Sequence, residues 1–93
     1  MATVRFGLGQ MTLQRPAWDE RSFAQLYADA IDIVERADEL GYHSFWLAEH
    51  HGSDDGYLPS LLPMLAAIAA RTTRIGLGTA VMLAPFHLSL IHI

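Results

Sequence analysis

The chain has 93 residues, of which 52% are hydrophobic and 17% charged. That is room for one domain or part of one, and a composition that builds a core rather than a disordered chain. Six scattered arginines, no lysine and ten acidic residues give a net charge of −4, which excludes the basic stripe a nucleic-acid partner requires. No apolar run approaches the ~18 residues of a membrane-spanning helix, and Met1 to Arg5 lack the layout of a signal peptide. The absence of cysteine excludes disulfides, thiolate metal sites and a cysteine nucleophile. The expectation is a cytoplasmic protein with neither a membrane nor a nucleic-acid partner.

Val4-Arg5-Phe6-Gly7-Leu8-Gly9 reads as a short strand ending in glycines, followed by a polar loop over residues 10–21. From Ser22 the apolar residues recur at a period of 3.6: Phe23, Leu26, Tyr27, Ala30, Ile33, Val34, Ala37 and Leu40. That pattern predicts an amphipathic helix with a wide apolar stripe. Ser22 or Asp19 would cap its start, Asp32 and Arg36 would pair across one turn, and Gly41 would close it.

Ser44-Phe45-Trp46-Leu47-Ala48 is short and nearly continuous in apolar character, as a strand covered on both faces reads. It runs into a polar loop, Glu49-His50-His51-Gly52-Ser53-Asp54-Asp55-Gly56. Leu58 to Pro63 open a second helix, with prolines where a first turn tolerates them, and Arg71-Thr72-Thr73 end it. Arg74 to Leu83 form the third strand and its extension. The resulting β-α-β-α-β order, with strand starts near residues 4, 44 and 74, implies a parallel sheet with right-handed crossovers. Both the doubly wound sheet and the eight-stranded barrel begin this way, and the spacing suits the ~31 residues per unit of a barrel.

Gly7-Leu8-Gly9 and Gly76-Leu77-Gly78 both lack the third glycine of a dinucleotide loop, since Thr12 and Val81 stand in its place. They read instead as points where the backbone turns or approaches a neighbour. Glu49-His50-His51 is the sharpest chemical feature, because parallel α/β folds place their sites at the carboxyl ends of strands. Alternation along a strand points the two histidines in different directions, which argues against a shared metal, and no metal ligand is assigned. His87 could reach the same end of the sheet. Trp18 and Trp46 read as core or loop anchors. On spacing alone, a hydrogen-bonded loop pair of histidines, a metal-dependent hydrolase or isomerase using Glu49, His50 and an aspartate, and a non-enzymatic binding module all stay open.

Three segments carry a resemblance: Ala37-Asp38-Glu39-Leu40-Gly41-Tyr42, Phe45-Trp46-Leu47-Ala48-Glu49-His50-His51, and Ala66 through Val81 with its Ile75-Gly76-Leu77-Gly78-Thr79-Ala80-Val81 end. Over residues 3–87 the chain resembles the bacterial luciferase-like flavin-dependent monooxygenases. The resemblance implies a partial (β/α)8 barrel, its first three strands and two helices, within a parent of ~250 residues or more. It implies reduced FMN and molecular oxygen as co-substrates acting on a small organic molecule, with the deazaflavin F420 as the alternative used by other members of the superfamily. A dimer is the assembly to test for the parent. His50 matches the family's active-site histidine, a base or hydrogen-bond partner beside the flavin, while Glu49 and His51 support it. Thr79, Ala80, Val81 and Met82 would lie against the flavin ring, and the Ala80–Val81 peptide would be cis in the intact enzyme.

One departure stands out. After its corresponding histidine the family continues His-Pro-x-Arg-x-Ala-Glu, whereas His87 is followed by Leu88-Ser89-Leu90-Ile91-His92-Ile93. The expectation is therefore a truncated amino-terminal barrel segment over residues 1–87 and a non-family tail over 88–93, inactive by itself.

Overall fold

A computed structural model describes residues 3–87, so the tail expected over 88–93 lies outside the described residues. The elements are β1 (Gly7–Met11), α1 (Phe23–Glu39), β2 (Ser44–Leu47), α2 (Leu61–Arg71) and β3 (Gly76–Thr79), followed by a single 3-10 turn, Ala84–Phe86. The strands are all parallel and lie in the order β1-β2-β3. Each crossover advances the sheet by one strand in the same direction, which is the pattern of a (β/α)8 barrel segment and not of a doubly wound sheet.

Helix α1 forms where the 3.6 period predicted it. The Ser22 side chain caps it by accepting the Gln25 N–H at 3.1 Å. Asp19 does not take the cap, because Arg21 holds its carboxylate. At the far end Gly41, at φ +87°, lets Tyr42 N–H donate to the Ala37 carbonyl and Gly41 N–H to that of Asp38, the doubly bonded closure a left-handed glycine permits. The expected Asp32–Arg36 pair does not form. Arg36 bonds Glu39, and Asp32 together with Glu35 holds Arg71 of α2, which ties the two helices across their exposed edges.

Both helices pack on one face of the sheet. Phe45 and Leu47 of β2 are fully buried there against Ala30, Val34 and Ala37 of α1 and Leu61, Met64 and Ile68 of α2. The opposite face carries Trp46, 42% exposed, so within this chain β2 is covered on one face rather than two. Across that open face Trp46 lies against glycines of both neighbouring strands. A Cβ on Gly9 would come 2.9 Å from Trp46 Cβ, and one on Gly78 would come 2.5 Å from its ring. These glycines are thus points of close approach to one residue, Trp46, through its Cβ and backbone at Gly9 and through its ring at Gly78.

Strand β1 is displaced from its expected span. It pairs with β2 from Gly7, opposite Ser44, so the glycines lie inside it. Val4 and Phe6 precede it, with Val4 75% and Phe6 70% exposed. One backbone bond precedes the paired strands, His43 N–H to Phe6 O at 2.8 Å, and before His43 the chain is the turn that leaves α1. The third strand is likewise shorter than its sequence suggested, ending at Thr79. The Cα radius of gyration, 14.5 Å, exceeds the ~12 Å of a compact chain of this length, as expected of an arc of barrel wall.

Candidate active site at the carboxyl ends of the strands

The carboxyl ends of β1 and β2 are sewn to the loops that follow them by backbone hydrogen bonds. Ala48 N–H donates to Met11 O, Leu58 N–H to Thr12 O and His50 N–H to Leu58 O. Asp55 fastens the two loops further by accepting from Gln14 and Tyr57 while its backbone carbonyl accepts the Arg15 N–H. The three consecutive residues Glu49, His50 and His51 project from this stitched rim.

Glu49 is the centre of the rim. Its carboxylate is shut off from solvent and accepts three donors. His51 Nε2–H reaches Oε2 at 2.6 Å, His87 Nε2–H reaches Oε1 at 2.9 Å, and Leu83 N–H reaches Oε1 at 2.8 Å. Burial pushes the carboxyl pKa up, but the bonds from His87, His51 and the Leu83 amide outweigh it and hold the group at about 2. An ionised carboxylate only accepts, so both imidazoles carry a hydrogen on Nε2. The His51 ring also meets the edge of Phe86 at 4.9 Å.

His50 turns the other way, as strand alternation predicted. Its ring is exposed, 5.0 Å from the Tyr57 ring, and among the described residues no hydrogen bond engages it. A neutral imidazole both donates and accepts, so His50 is free to exchange a proton with a molecule at the rim. The set needed by a metal-dependent hydrolase does not converge. Glu49 is saturated by imidazoles and an amide, His50 lies on Tyr57, and among the described residues no three His, Asp or Glu side chains are placed to hold an ion.

The segment after β3 completes this end of the sheet. Thr79 pairs with Leu47, and Ala80 N–H donates to Leu47 O at 2.7 Å. The Ala80 carbonyl accepts from the Gln10 side chain, which arrives from β1 over the top of β2. The Ala80–Val81 peptide is cis, as the resemblance implied. Val81 presents its side chain to solvent, 64% exposed, whereas Met82 packs on the hydrophobic core, leaving its backbone as the part that faces the rim. Sequence reasoning placed His87 at this end but missed Glu49 as the group that gathers it, and it missed Gln10 altogether. The Glu49–His51 spacing of two is the signal that could have found the first half of the cluster. Trp18, expected as an anchor, is 80% exposed on the β1–α1 loop.

A hollow of about 530 Å³ lined by Val4, Phe6, Leu40, Tyr42 and His43 lies at the opposite, amino end of the strands, away from where this fold places its chemistry. Among the described residues no helix is long and apolar enough to cross a membrane.

Comparison with known proteins agrees with this geometry. The chain is 34% identical over 68 residues to the oxygenase component of a flavin-dependent trigonelline monooxygenase from Acinetobacter baylyi, covering 73% of this chain and 19% of that protein. It is 28% identical over 89 residues to a luciferase-like monooxygenase of Escherichia coli, covering 96% and 26%. Its structure superposes on the oxygenating constituent of 3,6-diketocamphane monooxygenase from Pseudomonas putida, solved in complex with FMN, with a TM-score of 0.77, 26% identity, and coverage of 92% of this chain and 23% of that one. The chain thus spans about a quarter or less of these relatives' length. The family model described as luciferase-like monooxygenase matches residues 4–91, and the chain belongs to that family.

Proposed function

We propose that this chain is the amino-terminal part of an FMN-dependent monooxygenase whose intact barrel uses reduced FMN and O2 to oxidise a small organic molecule. The observation that supports this most is the joining of two segments at one end of the sheet. The residue next to His50 holds the segment that follows Thr79, Ala80, Val81 and Met82 through a 2.8 Å bond to Leu83. That bond brings the exposed imidazole of His50 and the apolar edge to the same rim, which suits a proton-transferring role for the one and a flavin contact for the other.

The residues suit a flavin ring. Val81 offers exposed apolar surface, Ala80 is small, and the backbone of Ala80 is fixed on both sides by Leu47 and Gln10. Bound there, reduced FMN would supply the electrons and the activation of oxygen. His50 would hold or pass a proton at its free ring nitrogens. Trp46 and the glycines beside it would floor the cavity, and the closed barrel would keep water from the reacting atoms.

The test is binding of FMN and of F420, followed by oxygen consumption with each cofactor in reduced form, using the full-length parent. FMN binding with oxygen-dependent turnover is expected, and turnover with F420 alone would replace the reading. The isolated 93-residue chain is expected to be inactive and poorly soluble. Its outer strands β1 and β3 have open edges among the described residues, and such edges template aggregation. A monodisperse chain that binds FMN and melts cooperatively would contradict that.

A further inference from the structure

We propose that Glu49 is a positioning residue for the flavin-facing edge: its carboxylate latches the segment after β3 onto the end of β2. The inference rests on the reading of Ala80 to Met82 as that edge. Beyond Ala80 the sheet ladder has ended, and the turn at Ala84–Phe86 bonds only to itself, Phe86 N–H to Leu83 O and His87 N–H to Ala84 O. Among the described residues, every polar contact from Val81–His87 to the rest of the chain goes to one carboxylate, through the Leu83 amide and the His87 ring. Met82 adds packing on the core, but apolar contact does not fix a backbone's orientation as directional bonds do. The carboxylate is solvent-free, so water does not compete for its oxygens.

The side-chain donors to the carboxylate are His51, from the loop after β2, and His87, from the latched segment. The Leu83 amide completes the set, so one acceptor joins the two segments through three directional bonds.

The experiment compares the full-length parent with its Glu49→Gln variant, measuring FMN dissociation constants and kcat at saturating flavin. Amide resonances of leucine-labelled protein report Leu83 directly. In the variant the Leu83 resonance should move and exchange faster. FMN affinity should fall about tenfold or more, the scale of one lost bond to a buried charge, while kcat at saturating flavin changes less. Should Glu49→Gln fail to fold, His87→Gln keeps Glu49, His51 and Leu83 together and should show a smaller loss of the same sign. A released Leu83 amide with unchanged FMN affinity would overturn the proposal and leave the flavin reading intact. An unmoved Leu83 amide would overturn it as well. A parent that binds no FMN would remove the flavin reading, and this proposal with it.

Discussion

The sheet carries a buried carboxylate at each end, and the two are satisfied in opposite ways. At the amino end Asp38, in the last turn of α1, accepts the backbone N–H groups of Thr73, Arg74 and Ile75 at 3.0, 2.9 and 2.8 Å and the Thr73 hydroxyl at 3.2 Å. Those donors lower its pKa to about 2. At the carboxyl end Glu49 reaches a similar value mainly through two imidazoles. Backbone amides are held in place by the chain itself, so Asp38 is a fixed rivet between α1 and the α2–β3 turn. Imidazoles sit on side chains that can swing, so Glu49 joins parts that can move apart. The end of the fold that makes stability uses mainly backbone donors, and the end proposed for chemistry uses mainly side-chain donors.

The largest effect that would sharpen this contrast is on turnover. His50→Ala in the parent should lower kcat by ~10²–10⁴-fold, the usual contribution of a positioned acid or base, with little change in melting temperature. His51→Ala should cost less, since its ring serves Glu49 and not the open rim. Equal losses at the two histidines, in oxygen-dependent assays with reduced FMN in excess, would erase the distinction between them.

Asp38→Ala should do the reverse, leaving kcat near normal in whatever protein folds while the melting temperature falls by roughly 10 °C, because several amides lose their acceptor together. Calorimetry checks this, and a melting temperature within error of wild type would show that the rivet is dispensable.

Acid should affect both ends. Each carboxyl is lowered on folding, Glu49 from 4.5 and Asp38 from 3.8, both to about 2. Each therefore contributes fully above its unfolded value and loses that contribution as pH falls towards 2. Thermal unfolding followed from about pH 5 down to about pH 2 checks this. A melting temperature that does not fall over that range would break the prediction.

The smallest effect concerns the turn beside Asp38. Gly41→Ala places a Cβ at φ +87° and should cost about 1 kcal/mol, seen as a shift in denaturant midpoint with activity unchanged.

Much of the fold was legible because it is local. The 3.6 period, Ser22 and Gly41 specify α1 within its own residues, and the helix lengths between strands specify parallel pairing. The start of β1 was not legible. Val4 and Phe6 look like strand residues, but pairing depends on where β2 begins, some forty residues later. Asp38 was named only as part of a resemblance segment and given no role, although an acid in the last turn of a helix opposes the helix dipole and needs donors from elsewhere. At the site, His50 and the 79–82 segment were read from resemblance. The alternation that separates His50 from His51 was read from strand geometry. The Glu49–His87 contact joins residues 38 apart, and no pattern within either segment announces it.

Trp46 and Gly78 behave as a single volume shared between two strands. Space that individual side chains would normally divide is filled by one indole, tethered through its Nε1–H to the Ser44 hydroxyl at 3.1 Å. Substitution at either position is then an exchange rather than an addition. A methyl on Gly78 would collide with the ring, yet the same methyl could be welcome beside a smaller residue at position 46. Overpacking and cavity costs of this kind compensate when they meet at one place. Gly9 is different: a Cβ there would meet the backbone of residue 46, so only Trp46 and Gly78 can be engineered as a pair.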